Sequence, residues 1–270
     1  MKIGSSFANE NQLKFNSNES ENLLKKLATA RRINSAADDA AGLQIANRLT
    51  QSANASAQGS QNVYDGISLA TVADQGLQGV TDNLNEMGRL AVQAGNGLLT
   101  SSDRQALQKQ ADAYAASIQD QIKNTEFAGI KLFDQEGSIP VGTGNGSTGN
   151  GSIGIKTQDL SSRLTDSGAF SIDLSSAESA EASLKSIQSS SQVVDNNRTD
   201  LGATINALQS TARNLQTQNV NEQEAISRIQ DLDYAKAVTE QVAAGVREQA
   251  SISVVSQGRI SEQQALKLLA

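Results

Sequence analysis

Apolar residues recur at alternating intervals of three and four along three long segments, and this spacing limits the possible folds more than any other feature. The three sets are Leu77, Val80, Leu84, Met87, Ala91 and Ala94; Leu107, Ala111, Tyr114, Ile118 and Ile122; and Leu201, Ile205, Leu208, Ala212 and Leu215. The third register continues through polar Asn219 and Glu222 to Ile226 and Ile229, which predicts one unbroken helix. Such alternation is typical of coiled-coil packing. We therefore predict a mainly α fold of long antiparallel helices.

Composition narrows the possible functions. The chain has no histidine and no cysteine, which most zinc sites and nucleophilic triads require, so we predict no enzyme, no metal and no cofactor. Sites made of carboxylates alone remain open. A net charge of -7 argues against nucleic acid. No apolar run approaches the roughly 20 residues that span a bilayer, and the N-terminal residues lack the apolar stretch of a cleaved secretory signal.

The middle of the chain differs from the helical segments. Residues 142–151 form a run of Gly, Ser, Thr and Asn that is typical of turns. Residues 138–141 and 152–155 flank this run and predict the two strands of a β-hairpin. Residues 169–174 predict a further short strand.

Both chain ends are predicted to be helical, each with a narrow apolar stripe. On the C-terminal segment the stripe is Ala235, Val238, Val242, Val246 and Ala250, and at the N-terminus it is Leu23, Leu24, Leu27 and Ala30. A stripe this narrow on a terminal helix must be buried either by the opposite end of the chain or by another subunit.

Residues 32–42 combine polar caps with small side chains. Asn34 or Ser35 can cap a helix whose first turn then contains Asp38 and Asp39. A polar joint between two helices is the simplest interpretation. The paired aspartates could also suggest a divalent cation, but adjacent helical positions point about 100° apart and share no ligand face easily.

Several segments resemble bacterial flagellin. Residues 32–49 resemble the family's N-terminal signature, and residues 65–70, 90–97 and 127–132 resemble its D-G-I-S-x-A turn, its L-A-V-Q-A-x-N-G segment and its F-N-G-x-K-x-L segment. Residues 198–203 and 228–235 resemble R-x-x-L-G-A and R-I-x-D-x-D-Y-A, and residues 265–269 resemble the leucine-rich terminus. These motifs occur in family order over nearly the whole chain.

The resemblance implies a subunit of the extracellular flagellar filament that drives swimming. It implies an inner domain D0 from residues 1–42 and 226–270, a helical domain D1 from residues 43–225 with a hairpin region at about 134–175, and no outer domains D2 or D3. Implied partners are further copies of the chain, an export chaperone on the C-terminal helix, and the junction and cap proteins. Export is expected by the flagellar type III route. A hook–filament junction protein is the alternative, although junction proteins usually match the D-D-A-A-G and D-x-D-Y-A motifs less well.

The resemblance also assigns residues to assembly and to host sensing. The assembly motifs are Arg32, Asn34, Ser35, Asp38, Asp39, Gly42, Arg228, Asp231, Asp233 and Tyr234, and the terminal stripe is Leu23, Leu27, Val238, Val242, Val246, Leu266 and Leu269. The region that an innate receptor (toll-like receptor 5) recognises in some members maps to Asn85, Glu86, Arg89 and Leu90. Because Glu86 reverses the family's positive charge, we expect weak or absent recognition.

Overall fold

The computed structural model describes residues 4–144 and 151–269, although nothing is described of the side chains of residues 4–10, 12, 13, 262 and 265–269. The elements in chain order are α1 (Gly4–Thr29), α2 (Ala40–Ala94), α3 (Ser101–Asn124), β1 (Glu126–Phe127), β2 (Ile130–Lys131), β3 (Gly137–Gly142), β4 (Ser152–Thr157), α4 (Leu160–Asp166), α5 (Ala177–Gln230) and α6 (Tyr234–Leu269). The predicted mainly α class is confirmed. None of the described helices combines the length and the apolarity needed to cross a membrane.

The chain divides into two compact units. The terminal unit comprises Met1–Ala53 and Val220–Ala270, and the central unit comprises Asn54–Asn219. Because α2 and α5 are each more than fifty residues long, each contributes to both units. The terminal unit therefore contains both ends of the chain, and the central unit contains the hairpins.

The three predicted apolar registers form the core of the central unit. Every member is buried except Tyr114 and Ile205, which are partly buried against the core. The predicted continuation of the third register through polar residues is also confirmed, since α5 runs unbroken from Ala177 to Gln230. A capping box begins α3. The Thr100 side chain accepts a hydrogen bond from the backbone N–H of Asp103, and the Asp103 side chain accepts one from the backbone N–H of Thr100.

The predicted hairpin is present and packs closely on α2. Strands β3 and β4 pair antiparallel, with Ile139 opposite Ile155. A Cβ atom at Gly59 would lie 2.2 Å from the carbonyl oxygen of Thr143, and one at Gly66 would lie 2.8 Å from a methyl group of Val141. Glycine at these two positions therefore lets the hairpin approach the helix. The expected turn at residues 65–70 is wrong, because this segment lies inside α2.

The strand predicted at residues 169–174 is also absent. The segment buries Ile172 and Leu174, as the alternating pattern suggested, but no neighbouring strand pairs with it. Instead the side-chain amide of Gln108 donates to the carbonyl of Ile172 at 2.8 Å and accepts from the backbone N–H of Leu174 at 2.7 Å. One glutamine therefore provides the hydrogen bonds that a partner strand would otherwise supply.

Candidate assembly surface on the terminal helices

Helices α1 and α6 pack together through a seam of small and polar side chains. Ala237 and Ala244 of α6 are buried, and so are Asn16 and Ser20 of α1. The amide of Asn16 donates to the hydroxyl of Ser251 at 2.8 Å. The seam is thus polar where a coiled coil of the same length usually has large aliphatic side chains.

Two further contacts extend the seam along its length. The amide nitrogen of Gln241 donates to the hydroxyl of Ser20 at 3.1 Å, and Arg247 forms an ion pair with Glu19 at 3.1 Å. The oxygen of the Gln241 side chain is buried and has no hydrogen-bond partner among the described residues. Polar contacts in a seam fix the register of a helix pair and contribute less stability than large aliphatic side chains would.

Most of the large aliphatic side chains described on α6 lie outside this seam, and half-buried Val255 is the exception. Val238, Val242 and Val246 are 38%, 63% and 65% exposed, and Ile252 and Ile260 are also exposed. Neither the opposite chain end nor any other described part of the chain buries the predicted valine stripe. On α1, Leu23 and Leu27 are half-buried. Leu266 and Leu269 lie outside the residues whose side chains are described.

The apolar periodicity does not predict the polar seam, because most of its members are small or polar. The seam nevertheless has the spacing of a coiled coil, with intervals of four and three along both helices. Its positions are Asn16, Ser20, Leu23 and Leu27 on α1 and Ala237, Gln241, Ala244, Glu248 and Ser251 on α6. Small and polar residues in this register are the sequence signal that predicts it.

The linkers that follow α1 and α5 pair with each other. Arg31 and Asp231 form an isolated antiparallel bridge. The backbone N–H of Arg32 donates to the carbonyl of Gln230 at 2.7 Å, and the N–H of Leu232 donates to the carbonyl of Ala30 at 3.1 Å. These bonds bring the two sequence motifs, residues 32–42 and 228–234, to one place in the terminal unit.

Within the first motif, the structure corrects the predicted helix cap. One carboxylate oxygen of Asp38 accepts hydrogen bonds from the backbone N–H groups of Asn34 and Ser35 and from the Ser35 hydroxyl, which closes a turn before the helix. These bonds lower the pKa of Asp38. Asp39, not Asn34 or Ser35, caps α2, because its carboxylate accepts from the N–H of Gly42 at 2.8 Å.

Glycine at position 42 permits this turn to close. A Cβ atom there would lie 2.8 Å from a terminal carbon of Ile33, which is the buried apolar residue of the linker. Arg32 strengthens the junction, because its guanidinium donates to the carbonyl of Ile229 at 2.6 Å.

The second motif repeats the capping arrangement at α6. The carboxylate of Asp233 accepts from the N–H of Lys236 at 3.1 Å, and the carboxylate of Asp231 accepts from the Ser227 hydroxyl. Arg228 forms an exposed ion pair with Glu224, and the Tyr234 ring is 60% exposed. The predicted motif residues thus include helix-capping and turn-closing groups, the two arginines Arg32 and Arg228 that contact a carbonyl and a carboxylate, and the exposed Tyr234.

The acidic residues of the described part of the chain are dispersed. No group of three or more carboxylates lies close enough together to hold a metal ion in the part of the chain that the structure describes.

The comparisons with known proteins identify the family. Residues 3–138 match the family model of the bacterial flagellin N-terminal helical region, and residues 184–269 match that of the C-terminal helical region. A flagellin from Halalkalibacterium halodurans is 32% identical over 94% of this chain and 93% of its own length. The chain belongs to the bacterial flagellin family. It is a structural subunit of the bacterial flagellar filament.

Two solved structures share the fold of this flagellin. The crystal structure of Bacillus cereus flagellin is 23% identical over 57% of this chain and 88% of its own, with a TM-score of 0.51. A putative flagellar hook-associated protein from Vibrio parahaemolyticus is 16% identical over 72% of this chain and all of its own, with a TM-score of 0.59. At these identities the likeness concerns the fold alone, and it does not favour the junction protein over the filament subunit.

The region aligned with receptor recognition is mostly on the surface of α2. Asn85 and Arg89 are exposed, and the carboxylate of half-buried Glu86 pairs with Nε of Arg89 at 2.8 Å. Leu90 is buried in the core, so its side chain is not available to a receptor. Only the first three of the four predicted residues therefore lie on the accessible surface.

Proposed function

We propose that this flagellin joins the filament by burying the outward valine face of α6 against neighbouring subunits. The observation that supports this is the orientation of α6, because most of its described large aliphatic side chains lie outside the seam with α1. Burying a valine side chain fully is worth roughly 1.5–3 kcal/mol. Because Val238, Val242 and Val246 are 38%, 63% and 65% exposed, burying the rest of these side chains would together contribute a few kcal/mol, which an added protein would supply.

The polar seam also bears on how a free subunit is converted into a filament subunit. A polar α1–α6 seam leaves the ends of a free subunit marginally stable, and contact with the filament tip then orders and buries them in one step. Anything that binds the ordered ends stabilises the subunit by mass action, so the ends are stable in the filament and labile outside it.

The finer assignments are part of the same proposal, and membership of the family supports them. Flagellins are filament components outside the cell. The labile ends suit export by the flagellar type III route, with a chaperone covering α6 until export. Junction and cap proteins are the partners at the two filament ends. The subunit consists of D0 and D1 without outer domains, and it has a structural role and no enzymatic one.

Val246→Asp tests the proposed role of the α6 face. A buried carboxylate on this face would oppose subunit addition, so the protein concentration needed for filament growth should rise by about tenfold or more. Seeded growth followed by sedimentation and electron microscopy measures this concentration.

Val92→Asp is the matched control, because Val92 of α2 is 64% exposed, as Val246 is 65%. It adds the same charge to a helix of the central unit. Equal loss of assembly in both variants, or normal assembly of Val246→Asp, would contradict a specific role for the α6 face.

A further inference from the structure

Charged residues are distributed unevenly along the two long helices of the central unit. In residues 54–73 of α2 the sole charged residue is Asp65, and in residues 201–219 of α5 it is Arg213. The other parts of α2 and α5 in the central unit carry many charged residues. These are Asp74, Asp82, Glu86, Arg89, Glu178, Glu181, Lys185, Asp195, Arg198 and Asp200. We call the exposed residues of 54–73 and 201–219 the neutral belt.

The two segments of the neutral belt lie side by side in the central unit. A Cβ atom at Gly66 would lie 3.5 Å from a methyl group of Leu208, so the two helices pack against each other there. The described hydrogen bonds between α3 and α2 lie further along α2, where Asn83 donates to Ser117 and Gln121. The β3–β4 hairpin packs on the α2 face that holds Gly59 and Gly66, and the exposed residues of the belt lie on the faces of α2 and α5 that the hairpin leaves open.

The exposed side chains of the belt carry little charge. They are mainly uncharged amides, hydroxyls and alanines, including Gln58, Gln61, Ser68, Thr71, Asn206, Ala207, Gln209, Asn214 and Thr217. Tyr64 lies among them and is 53% exposed. Interface cores are depleted of charge and enriched in tyrosine. Because each copy has a net charge of -7, identical copies repel one another least where their surfaces are neutral.

The two charges of the belt differ in sign and lack partners. Within the described part of the chain, neither the Asp65 carboxylate nor the Arg213 guanidinium has an ion pair or a side-chain hydrogen bond. Both residues are exposed. Burying either charge without a partner would oppose association strongly. A contact that buries one of these charges would therefore need the opposite charge on the facing surface, and Asp65 and Arg213 have opposite charges.

We propose that the neutral belt is a contact surface between copies of this flagellin, in which Asp65 of one copy pairs with Arg213 of the next. Helical polymers use heterologous interfaces, where one patch of a subunit meets a different patch of its neighbour. A carboxylate on α2 facing a guanidinium on α5 satisfies that requirement. This inference rests on the function as a self-assembling subunit and adds a second contact to the one proposed for α6.

Charge reversal tests the pairing. The single variants Asp65→Arg and Arg213→Asp each bring like charges together, so the concentration needed for seeded filament growth should rise by about tenfold or more. The double variant restores opposite charges and should return to within about threefold of the wild type. Circular dichroism and the melting temperature of the monomer should stay unchanged in all three, because neither residue has an intramolecular partner.

Glu181→Arg and Lys185→Asp are the controls, since they make the same changes of charge in the charged part of α5, and the exposed ion pair that each of them breaks contributes little to stability. They should assemble as the wild type does. Normal assembly of both belt single variants, or a double variant no better than the worse single variant, would overturn the pairing. If Val246→Asp blocks growth while the belt variants grow normally, the belt inference fails and the role of α6 stands. If the double variant rescues growth while Val246→Asp grows normally, the belt pairing stands and the role of α6 fails.

Discussion

Two alanines hold a backbone conformation that residues with a Cβ atom rarely adopt. Ala30 has φ of 54° at the end of α1, and Ala128 has φ of 51° between β1 and β2. Ala128 is followed by Gly129 with φ of 80°. Two consecutive residues with positive φ in a two-residue hairpin loop define a type I′ turn, for which Asn-Gly is the preferred pair. The resembling family segment F-N-G has that asparagine, and this chain has alanine instead.

Ala128→Asn should therefore stabilise the monomer. The left-handed conformation costs an alanine roughly 1 kcal/mol or more, and asparagine tolerates it better. Because Ala128 is exposed, the larger side chain meets no obstruction. We expect thermal unfolding to shift upward by an amount equivalent to about 1 kcal/mol or less. Ala203→Asn, on an exposed helical position, should instead destabilise slightly, and a lower melting temperature for Ala128→Asn would contradict the turn assignment.

The helix cap at residues 34–39 shows what residue-level prediction could not decide. Asn34, Ser35, Asp38 and Asp39 are all good caps, so the sequence offers four candidates within six positions. The choice depends on the turn that Asp38 closes with Asn34 and Ser35, because this turn delays the helix until Ala40. Local hydrogen bonds that compete with a helix cap leave no periodic pattern in the sequence.

At the scale of the elements, aspartates before or within the first turn of several segments share one electrostatic feature. The pKa values of Asp38, Asp103, Asp159 and Asp173 all lie below the ordinary value, because hydroxyl and backbone N–H groups donate hydrogen bonds to the ionised carboxylates. A carboxyl group whose pKa is lower in the folded state stabilises the fold above the unfolded pKa. It loses that contribution as the pH falls through the folded pKa.

The melting temperature of the monomer should accordingly be steady between pH 7 and pH 5 and should fall below about pH 4. Asp103→Asn removes one of these titrating groups. Relative to the wild type, it should melt at a lower temperature at pH 7, and the difference should shrink at pH 3. Calorimetry at both pH values measures this, and an equal difference at both would show that the charge of Asp103 contributes nothing to the α3 cap.

Long periodic elements and the hairpin around the glycine-rich run could be predicted from the sequence, whereas the shortest strands and the partners of residues 169–174 could not. The three apolar registers predicted the correct buried faces of α2, α3 and α5 because each repeats over several helical turns. Strands β1 and β2 have two residues each, too few for any period. The segment 169–174 has the alternation of a strand, but its hydrogen bonds come from Gln108, which is distant in sequence. Side-chain partners of this kind are fixed only by the tertiary fold.

At the scale of the whole molecule, the terminal helices reverse the usual arrangement of a helix pair. In such a pair, apolar side chains usually fill the interface and polar side chains face solvent. The seam that joins α1 to α6 is polar, whereas most of the large aliphatic side chains described on α6 lie outside it. The sequence predicted the valine stripe but left open whether the opposite end or another subunit covers it. Since α1 does not cover it, we assign it to neighbouring subunits, together with the neutral belt of the central unit.

Burial of Val242 on assembly is the most direct test of that assignment. The chain has no cysteine, so Val242→Cys provides a single thiol whose labelling by a maleimide reports its exposure. Val92→Cys serves as the reference on the central unit. We predict fast labelling of Val242→Cys in the monomer and labelling at least about tenfold slower in filaments. Equal labelling rates of Val242→Cys in monomer and filament would contradict the burial of the α6 face.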